Sequence, residues 1–272
     1  MPTQAENGRI FRELHRRDSA FIIPNPWDVG TARLLQSLGF EALATTSGGF
    51  AFSVGKQDGA IDRDTMLAHA ASLAAATNLP VSADLENGYA DDPSGVAKTI
   101  QLAARAGLAG CSVEDVPQGR GNAPYDISLA AERVRAAAEA AHSLPFPFTL
   151  TARAENFIVG RPDLPDTIAR LQAFQEAGAD VLFAPGLKTK EDIREVIRSV
   201  DRPVNVIMGL QGVQLSLADL SAIGVKRISV GSALARCAIT AFLSGAREMQ
   251  TKGTFTFAEN AVKYADLNAM FA

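Results

Sequence analysis

The sequence predicts an α/β fold, a single (β/α)8 TIM barrel spanning residues 1–272. Eight short apolar or β-branched runs recur along it, and most are followed by an alanine-rich helical pattern long enough to carry the crossover between parallel strands. The turn after the first run, Asn25-Pro26-Trp27-Asp28-Val29-Gly30, lacks the GxGxxG pattern usual in a doubly wound sheet. A length of 272 residues is ordinary for a barrel built as one unit.

The elements follow in order. Residues 7–17 read as an amphipathic helix, with Ile10, Phe11 and Leu14 on one side and arginines on the other. The strand runs are 21–24, 42–46, 80–83, 110–113, 148–152, 181–184, 204–207 and 227–230. Capping residues announce the helices between them: Asp62 or Asp64 before 66–76, Asp92-Pro93-Ser94 before 96–106, and Ser128 before 129–141. Asp163 with Pro165 opens 166–176, Thr189 opens 190–199 and Ser216 opens 217–223, while Gly107, Gly178 and Gly224 close helices. Segments 48–62 and 117–126, rich in glycine and proline, are expected to be loops beside the strand ends. After a helix over 233–249 and a turn over 250–254, a further helical pattern, 257–271, is surplus to one barrel. It would expose Phe257, Tyr264, Leu267 and Phe271, so 254–272 is expected to serve oligomerisation.

Composition narrows the function. A net charge of -4, without a basic cluster interleaved with aromatics, argues against a nucleic-acid partner. No apolar run approaches the roughly 18 residues of a membrane span. Residues 1–9 have no signal-peptide core, and Cys111 and Cys237 have no zinc or disulfide spacing, so a cytoplasmic protein is expected.

Barrel chemistry occurs at the carboxyl ends of the strands. Those ends carry Trp27-Asp28, Ser47-Gly48-Gly49, Asp84 and Glu86, Glu114-Asp115, Arg153 and Glu155, Pro185, Asn205 and Ser229. Asp84 and Glu86 lie two apart on extended backbone, so both lean to one side and need a proton, an arginine or a hard divalent cation between them. With Arg153 and a glycine-flanked serine, the set suits a metal-bound carboxylate or an enolate. Each member also has a plain structural role open to it: Arg153 could pair with Glu155, Ser47 could shape a turn, and Glu114-Asp115 could be solvated. Trp27 and Asn205 are candidate substrate contacts. His15, His69 and His142 fall on helical stretches, which leaves no Ser-His-Asp triad and no histidine-bound zinc.

Ser47-Gly48-Gly49, Asp58, Asp84-x-Glu86-x-Gly88-Tyr89, Glu114-Asp115 and Thr151-Ala152-Arg153 resemble the isocitrate lyase/phosphoenolpyruvate mutase superfamily in type, order and spacing. The resemblance implies a Mg²⁺-dependent barrel, with Mn²⁺ as a substitute, that stabilises the enolate of pyruvate or a close α-keto acid. It implies that Asp84 binds the metal, that Glu86 and Glu114 hold metal-bound waters, and that Ser47, Gly48 and Gly49 bind the substrate carboxylate and carbonyl. Arg153 would neutralise the oxyanion and Asp58 would steer the departing group. Relatives of this kind exchange a C-terminal helix between subunits, so a homotetramer built as a dimer of dimers is expected.

The departures matter as much. Lyases acting on isocitrate or methylisocitrate carry a Lys-(Lys/Arg)-Cys-Gly-His segment after the fourth strand, whereas this chain reads Pro117-Gln118-Gly119-Arg120-Gly121-Asn122-Ala123-Pro124. The acid/base cysteine is missing, Glu86 replaces the usual aspartate, and Pro185-Gly186 stands where some members place a glutamate or histidine. The expectation is a lyase cleaving a C–C bond of a small α-keto or 2-hydroxy acid, such as an oxaloacetate decarboxylase or 2-alkylmalate lyase. Alternatives are a phosphonopyruvate hydrolase or phosphoenolpyruvate mutase, and a catalytically silent barrel that binds a keto acid.

Overall fold

The computed structural model describes residues 2–118 and 123–271. Helix α1 (Gln4–Leu14) starts at a reciprocal cap between Thr3 and Glu6, which sets its first turn ahead of the apolar pattern. The repeating units are β1 (Phe21–Ile23) with α2 (Val29–Ser37), then β2 (Leu43–Ala44) with α3 (Ser47–Ser53) and α4 (Arg63–Ala76). They continue with β3 (Val81–Asp84) and α5 (Pro93–Arg105), β4 (Gly110–Glu114) and α6 (Ile127–His142), and β5 (Thr149–Arg153) and α7 (Leu164–Glu176). The last are β6 (Val181–Phe183) and α8 (Lys190–Arg198), β7 (Val204–Ile207) and α9 (Leu217–Ala222), and β8 (Arg227–Ser229) and α10 (Ala233–Lys252). The strands are parallel in the order β1-β8-β7-β6-β5-β4-β3-β2, a nearly closed (β/α)8 barrel.

Side chains alternate along each strand, so register partners share a face. One face meets the helices through Leu43, Val81, Ala83, Leu150, Leu182 and Val206. The other fills the barrel and is unusually polar, with Ser82, Ser112, Thr151, Asn205, Arg227 and Ser229 all buried. The amino end is plugged by α1: Phe11 is fully buried, and a Cβ on Gly110 would come within 3.0 Å of its ring. Only glycine admits that plug.

His15 completes the plug between Phe11 and Phe21, with ring centroids 4.8 and 5.1 Å away. Its Nδ1–H donates to the Phe11 carbonyl at 2.8 Å, leaving Nε2 to accept from Arg227. Burial, then the Arg227 charge, push its pKa down to about 3. The unfolded chain therefore takes up a proton near pH 6.5 that the folded chain refuses, and stability falls as pH drops from there toward 3. Between pH 7 and 5 this amounts to about 2 kcal/mol. Urea denaturation is expected to show that loss in the wild type and a shallower one in His15→Gln; parallel slopes would refute it.

Three expectations are corrected here. Ser47–Ser53, expected as loop, is helical because the Thr46 side chain accepts from the Gly49 amide and starts a turn that the two glycines hid from the pattern. Helix α6 begins one residue before Ser128, after Asp126, with no side-chain cap bond. The pattern over 257–271 is not one helix but a 3₁₀ turn, Thr256–Asn260, followed by a short α11 (Tyr264–Ala269). The Glu248 carboxylate accepts from Thr254, Thr256 and Phe257 and draws the chain back past left-handed Gly253, so that Phe257 packs on Gly245. Residues 119–122, the middle of the proposed second loop, lie outside the described residues. Among the described residues no helix is long and apolar enough to cross a membrane.

Candidate active site

The carboxyl ends of the strands surround a cavity of about 240 Å³. Ser47, Gly48, Asp58 and Asp84 line its rim, and Asn205 and Arg227 lie among the residues deeper in the barrel. A larger hollow of about 600 Å³ opens at the opposite end, beside Arg12, His142 and Asp180. It carries none of the strand-end carboxylates, so the smaller cavity is the candidate site.

Arg153, on the last position of β5, organises the rim. Its Nη1 lies 3.1 Å from Asp84 Oδ1 and 2.9 Å from Glu114 Oε1, and its Nε donates to Glu155 Oε1 at 2.8 Å. Burial opposes its charge, yet the three carboxylates outweigh burial and raise its pKa above the usual arginine range. Burial likewise raises Glu114 and Glu155, with the Arg153 charge opposing the shift. Next to Asp84, whose Oδ2 accepts from the Ser47 amide at 3.3 Å, burial and then the negative charge of Asp84 raise Asp58, although the Ser47 side chain hydrogen-bonds it. One arginine among this many acids leaves the rim short of positive charge.

The β3–α5 turn carries the second carboxylate of the pair in a strained conformation. Glu86 (φ 48) and Tyr89 (φ 56) both sit in the left-handed region, at a cost of order 1–3 kcal/mol each. Glu86 accepts from Gln118 Nε2 at 2.7 Å and Tyr89 OH at 3.4 Å. Burial, then Asp84, push it up to about 7. The strain is held in place by Arg133, fully buried on α6, whose guanidinium donates to the carbonyls of Asn87, Ala90 and Glu114 and stacks 4.2 Å over the Tyr125 ring. Arg133 thus ties the turn that bears Glu86 to the end of β4, where Glu114 stands.

Of the residues singled out from sequence, Ser47, Gly48, Asp58, Asp84, Arg153 and Asn205 all border the cavity, and Glu114 joins them through Arg153. Glu86 lies behind Asp84, directed to Gln118 and Tyr89. Gly49 is set apart: its amide is taken by Thr46, and with Trp27 it lines a separate groove beside Phe242 of α10. Sequence reasoning missed Arg133 and Arg170. Arg170 pairs with Asp115 at 3.1 Å and fixes the strand end that Glu114 leaves. It also missed Asn25, which donates to Thr45 O and accepts from Val230 and Gly231, stitching the ends of β1, β2 and β8. An arginine on the apolar stripe of an alanine-rich helix was the available signal for Arg133, beside Ala130, Val134 and Ala137.

These features define a (β/α)8 barrel with a carboxylate and arginine site at the carboxyl ends of its strands. The sequence profile described as phosphoenolpyruvate phosphomutase matches residues 11–250, and the chain belongs to that family, within the isocitrate lyase/phosphoenolpyruvate mutase superfamily. A Burkholderia cenocepacia protein described as a lyase/mutase has a solved structure that is 60% identical, with a TM-score of 0.96 over 99% of this chain and 96% of that one. The structure of 2,3-dimethylmalate lyase is 28% identical, with a TM-score of 0.87 over 100% of this chain and 95% of that one. Uncharacterized protein Rv1998c of Mycobacterium tuberculosis is 32% identical over 262 residues, 95% of each chain.

Proposed function

We propose that the chain is a Mg²⁺-dependent lyase that cleaves a C–C bond in a small α-keto or 2-hydroxy acid. The bonding pair stays on pyruvate as its enolate when a keto acid loses carbon dioxide, and on the departing acid as its enolate when a 2-hydroxy acid is cleaved to pyruvate. The observation that carries this is the convergence of Asp84, Arg153 and Glu114 at the strand ends, with Ser47, Gly48 and Asp58 adjoining them: the Ser47 amide donates to Asp84 Oδ2 at 3.3 Å. Among the described residues no three acids, histidines or cysteines form a cage for a metal. Mg²⁺ does not ask for one, since it keeps several waters and takes one or two carboxylates plus substrate oxygens. The hard oxygen donors and the surplus of negative charge at the rim fit such an ion; Asp84 would bind it directly, and Glu86 and Glu114 would hold its waters. When bound, the ion supplies Lewis acidity to the substrate carbonyl.

The chain's own residues do the rest. Ser47 and Gly48 border the substrate carboxylate. Arg153, held by three carboxylates and unable to lose its charge, faces the oxygen on which negative charge develops. Asp58, whose raised pKa favours the protonated form more than usual, lines the cavity beside Ser47 and Gly48, where a proton can be held for the departing group. Both cysteines are free, Cys111 buried and Cys237 exposed, as suits a reducing cytoplasm.

The decisive experiment is a Mg²⁺-supplemented panel of oxaloacetate, phosphonopyruvate, 2-methylisocitrate and 2-alkylmalates, read by release of pyruvate or phosphoenolpyruvate. Compact C3 or C4 keto acids are expected to win, because carbon dioxide or phosphate leaves without the protonation that the missing thiol would supply. Preference for 2-methylisocitrate would overturn the inference from the missing cysteine. Pyruvate or phosphoenolpyruvate from phosphonopyruvate alone would favour the P–C reading, and neither product from any substrate would favour a silent binding barrel.

We also infer a homo-oligomer, a dimer of dimers, assembled through the carboxyl-terminal segment. Phe242, Phe255, Val262 and Tyr264 are 73%, 67%, 61% and 86% exposed on α10 and the tail, a contiguous stretch of chain more apolar than a free surface usually is. Light scattering is expected to give a mass above that of one chain, and truncation after Lys252 to reduce it. A full-length monomer at micromolar concentration would reject this assembly.

A further inference from the structure

We propose that Arg227 is a second anion-recognition residue of this cavity, and that the natural ligand is a small dicarboxylate whose far carboxylate reaches into the barrel to meet it. The proposal rests on the keto-acid reading above and narrows its substrate class.

The register of the sheet places the residue. Arg153 pairs with Phe183, Phe183 with Asn205 and Asn205 with Arg227, so these four side chains belong to one row and project to the same face. All four line the cavity. Arg153 stands at the carboxyl end of β5, whereas Arg227 opens β8 and lies deeper, one layer above the Phe11 and His15 plug.

Its partners distinguish it from the other buried arginines. Arg153 meets three carboxylates, Arg170 meets two, and Arg133 meets three backbone carbonyls. Arg227 makes no ion pair with any described residue. It donates from Nε to Asn205 Oδ1 at 2.9 Å and from Nη1 toward His15 Nε2 at 3.4 Å. A guanidinium has five N–H groups, so donors remain for the cavity it lines. Burying an unpaired charge is costly, and an aliphatic side chain would fill the same volume without that cost. A neutral strut between α1 and the strands would need the two hydrogen bonds but not the charge.

The surroundings are arranged for an anion. His15, kept neutral, accepts one N–H and fixes the plane of the guanidinium without matching its charge. Ser229 accepts from Asn205 Nδ2 at 3.1 Å, which leaves its hydroxyl free to donate beside Arg227. The acids Asp58 and Asp84 lie on the rim side of the same cavity. The cavity is thus acidic at the rim and basic at the floor, which suits a ligand with one end held at the rim and a second negative end below.

Calorimetric titration with succinate and malonate, each against its half-amide, in Mg²⁺ buffer tests this without turnover. The half-amides keep the shape and remove one charge. The wild type is expected to bind the diacids roughly 10- to 100-fold more tightly, and Arg227→Gln to erase that preference while leaving the half-amides within about threefold. Arg227→Lys should restore part of it. Equal affinity for diacid and half-amide in the wild type, or no diacid binding at millimolar concentration, would overturn the proposal even if Arg227→Gln does not fold. So would an Arg227→Gln protein that loses both ligands alike, as a strut would require. Diacid binding that depends on Arg227 with no pyruvate from any substrate would sink the lyase reading and leave this one standing. Pyruvate release with no diacid preference would do the reverse.

Discussion

Arg153→Ala is expected to lower kcat by roughly a thousandfold or more and to destabilise the fold by about 3–5 kcal/mol. Both effects come from one atom group. The guanidinium is the shared partner of Asp84, Glu114 and Glu155, so its removal strands three carboxylates at the strand ends, two of them already raised by burial. Without Arg153 the pKa values of Glu114 and Glu155 rise further, so the variant's deficit relative to the wild type should shrink in mild acid, because its folded state then holds protons that the unfolded state releases. Arg153→Lys keeps the charge but cannot reach three acids with a planar fork, so it should recover stability more than turnover. Urea denaturation at pH 5 and 7, with steady-state kinetics, separates the two. A folded Arg153→Ala enzyme within tenfold of wild-type kcat would remove Arg153 from the chemistry.

Removal of divalent metal should have an effect of the same order. Exhaustive chelation is expected to abolish turnover, and Mg²⁺ or Mn²⁺ to restore it, because the rim holds more negative charge than Arg153 neutralises. Asp84→Ala should lose metal binding altogether. Glu86→Ala, whose carboxylate is directed to Gln118 and Tyr89 behind Asp84, should weaken it by about 10- to 100-fold. Metal titration by calorimetry tests both. Full activity in chelator, or equal and negligible effects of the two substitutions, would show that the acids serve only to hold Arg153.

The strands and most helix starts were legible in the sequence because they depend on local physics. Apolar runs with capping residues at fixed offsets leave few choices, and Asp92, Asp163, Thr189 and Ser216 each cap the helix they announce. The rim acids were legible because they follow those strands directly. What escaped depends on distant partners. Gly48 and Gly49 read as loop residues, yet Thr46 caps a helix over them, and they are glycine because a Cβ at Gly48 would press on Asp58 and one at Gly49 on Thr46. Arg133, out of place on an apolar stripe, and Arg170 have no partner that the sequence reveals until α6 and α7 are set against the loops they hold. Arg227 was hidden differently: in Arg227-Ile228-Ser229-Val230 the alternation marks a strand, but only closure of the sheet reveals that the polar side faces inward. The tail over 257–271 misled because helical periodicity says nothing of a carboxylate such as Glu248 that ends one turn and begins another.

The order of strands has a further consequence. Every neighbouring pair forms a ladder except β1 and β2, whose edges meet through the Ala44 amide on the Pro24 carbonyl at 3.1 Å and the Asn25 side chain on Thr45 O at 2.9 Å. A sheet closed by so few bonds breathes at that seam, and amide hydrogens there should exchange with solvent sooner than those of β4 and β5, which share five register pairs. The seam continues directly into Thr45, Thr46 and Ser47, and Thr45 Oγ1 accepts from the Asp84 amide at 2.8 Å. Transient parting of β1 from β2 therefore loosens the serine side of the cavity while the arginine side, three and more strands away, keeps its ladder. The barrel therefore has two unlike walls: one that presents charge from a continuous ladder, and one that ends beside a seam with two cross-strand bonds.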